Sequence, residues 1–143
     1  MVVALMSDDI PADFQVISRS SPYIDMVGPL YYRLTDEGLQ VAFRAEEKHC
    51  NSRGFVHGGM LSTAADIALG YGAGDFPNGN RAMVTTSITI DFAGSAQLGD
   101  WVVFKTDVQK VGRIAAFANT YAHVGEKRIV RASGIFSVLD GRK

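Results

Sequence analysis

A chain of 143 residues with 14 basic and 15 acidic side chains, net charge −1, has room for one domain. It lacks the basic excess that nucleic-acid backbones select, so no nucleic-acid partner is expected. Apolar residues make up 47% of it, far from the composition of a disordered chain, while no uncharged apolar run approaches the roughly 20 residues that cross a bilayer.

The apolar start MVVALM lacks the basic leader of a secretory signal, and the single cysteine, Cys50, allows no internal disulfide. Both point to a reducing, cytoplasmic setting without a membrane partner. Ser7, Asp8 and Asp9 ahead of IPADFQVISRS carry helix-start chemistry: a capping side chain, acids at the positive end and a first-turn proline. They predict a short helix over about Pro11 to Ser18 within an N-terminal lead-in of residues 1–22, and SSPYIDMVGP reads as a connection. LYYRLT and LQVAFRA flank Asp36, Glu37 and Gly38, and Leu39, Val41 and Phe43 alternate with Gln40, Ala42 and Arg44, which is the pattern of a hairpin.

A helical run follows, starting near Gly58 or Gly59. Its Leu61, Ala64, Ala65, Ile67, Ala68 and Leu69 spread over most of the circumference, and a helix apolar on nearly all sides is a buried one. Four strands complete the chain, around Met83–Phe92, Trp101–Val111, Ile114–His123 and RIVRASGIFSVL, separated by glycine-bearing turns. Strands with short connections pair as antiparallel neighbours. The expected class is α+β, one domain over 1–143, its sheet wrapped around the long helix.

Two features of that helix carry chemistry. Its first turn, at Gly58 and Gly59, presents free N–H groups and the positive end of the helix dipole, with no Cβ to hold a ligand off. An oxyanion forming on a thioester or ester carbonyl finds preorganised donors there. Asp66 lies eight residues further on, about 12 Å along the axis at 1.5 Å per residue. That is too far for one small reaction centre. The two groups meet on one carbonyl only if a second copy of the chain supplies the aspartate across a two-fold axis, so joint action predicts a dimer with two shared sites.

The pattern Asn51, Gly54, His57, Gly58, Gly59, Asp66, continued through VTTSITIDFAGSAQLGDWV and VQKVGRIAAF, resembles the hotdog-fold thioesterases, specifically the phenylacetate-pathway (PaaI-like) acyl-CoA thioesterases. The resemblance covers about Leu39 to Leu139. It implies the hotdog fold, a curved antiparallel sheet around a long helix, and hydrolysis of an acyl-CoA to free acid and CoA. Coenzyme A is then part of the substrate and no cofactor is required. It further implies Asp66 as general base or nucleophile, the Gly58 amide as oxyanion donor, and His57 and Asn51 as polar groups around the thioester and attacking water. Thr85 takes the hydroxyl position beside the acid; a strand register shifted by one puts Thr86 there instead. Gly59, Gly112, Arg113 and Lys110 are the expected substrate contacts, the two cations for CoA phosphates. The expected assembly is a dimer, paired further into a dimer of dimers.

Tyr71, Phe76 and Tyr31 are favoured as core residues over an aryl pocket; the helix end LGYGAG departs from the branch in being richer in glycine, near where the resemblance puts the acyl group. His49, Cys50 and His57 fit no zinc spacing, and no metal is expected. Two other functions share the residues: an acyl-thioester dehydratase pairing His57 with a partner's Asp66, and an acyl-CoA-binding module that needs no base.

Overall fold

The computed structural model describes residues 10–19, 21–79 and 81–139. Seven strands form one antiparallel sheet: β1 (Gln15–Val16), β2 (Tyr31–Thr35), β3 (Gly38–Arg44), β4 (Met83–Phe92), β5 (Trp101–Val111), β6 (Ala115–Val124) and β7 (Lys127–Val138). The order across the sheet is β1-β2-β3-β5-β6-β7-β4. A short helix, α1 (Pro22–Val27), precedes β2, and the long α2 (Gly58–Ala73) crosses between β3 and β4. This is the hotdog arrangement, with α2 packed against β3 through β7.

Small residues bring helix and sheet close. Ala64, Ala65 and Ala68 of α2 face Ala116, Ala118 and Ala122 of β6 within one buried cluster that includes Leu69, Phe43, Phe104 and Phe136. Each large side chain in such a cluster contributes about 1.5–3 kcal/mol by leaving water. At Gly72 the approach is closest: a Cβ built there lies 2.7 Å from Thr106 Cγ2, so alanine at this position pushes α2 off β5. The apolar girdle of α2 is incomplete, however. Ser62, Thr63, Asp66, Ile67 and Gly70, which share one face at three- and four-residue spacing, are only half-buried. The sheet encloses most of the helix and leaves the Asp66 stripe at its margin.

The N-terminal helix expected over Pro11 to Ser18 is absent. Ala12 and Asp13 form a turn, with Asp13 at φ 79°, and Gln15 and Val16 pair with Tyr32 and Tyr31 as β1. Tertiary contacts override the local signal: Ile17 is buried, and the Phe14 ring meets Trp101 edge-on at 5.2 Å beneath the Arg33 guanidinium. Ser7, Asp8 and Asp9 lie outside the described residues. The helix forms instead in the stretch read as a connection, where Ser21 Oγ accepts from Ile24 N at 3.2 Å and Pro22 opens α1.

His49 ties α1 to the loop before α2. Its buried ring donates from Nε2 to Val27 O at 2.6 Å and accepts at Nδ1 from Glu46 N at 3.0 Å. His49→Leu fills the space and strands both backbone groups, at a cost of about 1–3 kcal/mol for each. Urea titration should show the midpoint falling at constant m.

Candidate active site

Three segments build the candidate site: the 51–57 loop, the start and middle of α2, and the edge strand β4. In the loop, Asn51 Oδ1 accepts from Arg53 N at 2.9 Å and Phe55 N at 3.2 Å, so its side-chain oxygen shapes the turn that delivers His57. His57 is the N-cap of α2, and its Nδ1 accepts from Gly59 N at 2.8 Å. The Gly59 amide is thereby occupied. The Gly58 N–H has no acceptor among the described residues, and the exposed Phe92 ring at the end of β4 covers it, 3.6 Å from where a Gly58 Cβ would stand.

Asp66 sits on the half-buried stripe of α2, where Thr85 Oγ1 donates to its Oδ1 at 2.7 Å. No basic side chain among the described residues pairs with it. Of the two candidate threonines, Thr85 reaches the acid, because β4 carries a bulge between Thr85 and Ser87; Thr86 bonds Ser137 Oγ at 2.9 Å instead.

Asp66 and Thr85 open onto a cavity of about 260 Å³ whose walls include Tyr71, Phe76, Met83 and Phe136, with Arg19 and Arg81 at its margin. Gly70 and Gly74, four and eight residues along the chain from Asp66, also line it; Phe136 packs 3.3 Å from the place of a Gly70 Cβ, and the Arg81 backbone 2.8 Å from that of a Gly74 Cβ. Tyr71 and Phe76 are therefore cavity walls as well as packing partners, their rings 4.8 Å apart. Tyr31 stands elsewhere, against Trp101 at 5.4 Å. The signal in the sequence was the glycine spacing behind Asp66; nothing marked Phe92 as the residue over Gly58.

A second cavity, about 420 Å³, is lined by His57, Gly59, Met60, Thr63, Tyr23 and His49 among others. One chain thus places the helix start and Asp66 in different cavities. Lys110, Gly112 and Arg113 lie on the β5–β6 hairpin, the two cations exposed, and line neither cavity. Cys50 borders the second cavity with its thiol donating to Glu46 O at 3.3 Å; burial, and then Glu47, push its pKa up, which disfavours the thiolate. Among the described residues no group of three metal-ligating side chains occurs, and no helix is long and apolar enough to cross a membrane.

The family model described as "Thioesterase superfamily" matches residues 53–128, the span from the His57 loop to the start of β7. The Pseudomonas aeruginosa protein named "Putative esterase PA0474" is 43% identical over 129 residues, covering 90% of this chain and 96% of its own. Among solved structures, zebrafish thioesterase superfamily member 2 superposes with a TM-score of 0.73 at 22% identity, over 96% of this chain and 93% of its own. The E. coli PaaI protein of the phenylacetic acid degradation operon gives 0.74 at 22% identity, over 85% and 87%. The last two establish likeness of fold, while the family match spans more than half of the sequence and contains both the helix start and Asp66. The chain belongs to the thioesterase superfamily and is a thioester hydrolase.

Proposed function

We propose that the protein hydrolyses an acyl-CoA to free acid and CoA at two sites, each shared between two copies of the chain, in the manner of the PaaI-like branch. The observation that carries this reading is Asp66: a carboxylate in mid-helix, without a basic partner among the described residues, held by Thr85 beside a cavity with an aromatic wall. At its half-buried position the carboxylate has given up part of its hydration, and the Thr85 hydroxyl replaces only one of those hydrogen bonds. Here it is oriented by one hydroxyl and left open to a ligand.

The edge strand explains how the distant amide reaches it. β4 is ten residues long and, among the described residues, bonded only to β7, with Val84 and Phe92 exposed near its two ends. A long edge with unpaired backbone seeks another strand. If two β4 strands pair antiparallel about an axis near Ile88, Val84 of one copy meets Phe92 of the other. Phe92 covers Gly58 and Thr85 holds Asp66, so the same pairing carries one copy's free amide to the other's carboxylate. The acyl group then lies along the groove over Gly70, the Gly58 N–H stabilises the developing oxyanion, and Asp66 attacks or activates water.

Thiol release from saturated aryl, short, medium and long acyl-CoA esters tests the reaction. Release from at least one supports hydrolysis; binding without release from any leaves a carrier, and hydration of an enoyl-CoA alone leaves a dehydratase. Thr85→Val removes the hydroxyl that orients Asp66. Since a hydrogen bond to a charged group is worth about 1.5–3 kcal/mol, kcat should drop roughly 10–100-fold, whereas Thr86→Val should not lower it.

A further inference from the structure

The cavity beside Asp66 carries opposite charges on its lining. Asp66 and Thr85 border one part of it, Arg19 and Arg81 another, and Tyr71 and Phe76 stand among its walls. Tyr71 lies five residues beyond Asp66, about 7–8 Å along α2 at 1.5 Å per residue. The Arg19 guanidinium carbon stands 5.9 Å from the Tyr71 ring centroid, within the reach of about 6 Å over which a ring attracts a cation. Tyr71 packs against Phe76 with ring centroids 4.8 Å apart, and Phe76 meets Tyr32 edge-on at 5.0 Å, so the ring that carries Arg19 is itself held. The backbone that delivers Arg19 is anchored as well: two residues before it, Ile17 is buried and donates its N–H to Leu30 O at 2.8 Å. No carboxylate among the described residues forms an ion pair with Arg19. Its guanidinium stays charged and offers five N–H donors in a fixed fork. Arg19 also lies outside residues 53–128, the span that the family model matches.

We propose that Arg19 selects acyl groups that end in a carboxylate, so that the preferred substrate is the half-thioester of a diacid of about six to eight carbons. This rests on the acyl-CoA reading above. The length follows from the spacing of the two charges. An extended chain advances about 1.2 Å per bond, so about five to seven bonds between the thioester carbonyl and the distal carboxyl carbon cover roughly 6–8 Å, the interval from Asp66 to the ring under Arg19. The charges also set the orientation. Asp66 repels a free carboxylate and Arg19 attracts it, so the substrate lies with its thioester toward the acid. The planar fork of arginine pairs with both oxygens of a carboxylate, while Tyr71 and Phe76 flank the methylene chain. A cation near the last turn of α2 complements the helix dipole too, but an arginine kept for that purpose alone treats a carboxylate-ended and a methyl-ended acyl group alike.

Thiol release is followed from suberyl-CoA, the mono-thioester of the eight-carbon diacid, and from octanoyl-CoA, which has the same chain length and ends in a methyl group. The ratio of kcat/KM is expected to favour suberyl-CoA about tenfold or more. Arg19 is exposed, so Arg19→Gln should fold, and it should lower that ratio about tenfold, chiefly through KM for suberyl-CoA, with Arg19→Lys falling between. A wild-type preference for octanoyl-CoA, or a ratio that Arg19→Gln leaves unchanged, overturns the proposal, as does a ratio altered only by Arg81→Gln. Calorimetry with monomethyl suberate, which carries the distal carboxylate and no thioester, separates this selectivity from hydrolysis. Binding that Arg19→Gln weakens about tenfold, with no thiol release from any acyl-CoA, upholds the carboxylate site and refutes hydrolysis. Thiol release with an unaltered ratio in Arg19→Gln does the reverse, and neither release nor binding overturns both.

Discussion

Gly58→Pro should fold normally and lose about 10²–10³ in kcat, the cost of deleting one oxyanion donor. The substitution removes the N–H and little else. Proline is favoured as the first residue of a helix, and it demands an extended conformation of the residue before it. His57 already has it, at φ −64° and ψ 139°. No internal hydrogen bond is lost, since the Gly58 amide has no acceptor among the described residues, and the new Cβ meets Phe92 at 3.6 Å, an ordinary contact. Stability should hold or rise by about 0.4–1 kcal/mol, because proline restricts the unfolded chain. Gly58→Ala adds the Cβ and keeps the N–H, so its kcat should stay well above that of the proline variant. A proline variant with unaltered kcat and KM removes the amide from the mechanism.

Asp66→Asn should cost about 10²–10⁴ in kcat with little change in melting temperature, because the amide oxygen still accepts from Thr85 while the base or nucleophile is gone. The two variants together test the shared geometry. When Asp66→Asn and Gly58→Pro chains are unfolded, mixed and refolded, half of the dimers are hybrids, and each hybrid holds one doubly damaged site and one intact site. Recovery approaching about a quarter of wild-type activity is expected from a two-fold assembly. Recovery at the level of the unmixed parents shows that each site draws both groups from one chain.

The strands were readable because their pattern is local: Met83–Phe92 and Trp101–Val111 are bounded by turn residues and lie where the structure has them. The buried helix was readable from an apolar girdle on more than one face, although the uncovered stripe at Asp66 depends on where the sheet's margin falls, which periodicity does not encode. The N-terminal segment misled because its helix-start residues compete with a surface, formed by Trp101 and Arg33, that exists only after the sheet assembles. At the site, a helical period was enough to separate Gly58 from Asp66. The resemblance had already set Thr85 beside the acid, where its hydrogen bond to Asp66 lies, whereas setting Phe92 over Gly58 required a contact across 34 positions of sequence.

The two borders of the sheet are unequal: β1 has two residues and β4 has ten. A head-to-tail join of unlike borders adds copies without limit and makes fibres, whereas like meeting like stops after one addition. The stub at β1 offers too little backbone to template another chain. If two copies pair through their long borders as proposed, both long templates are used up, and the two-residue β1 with Arg33–Thr35 of β2 beside it leaves little backbone at either outer border for a further copy to join.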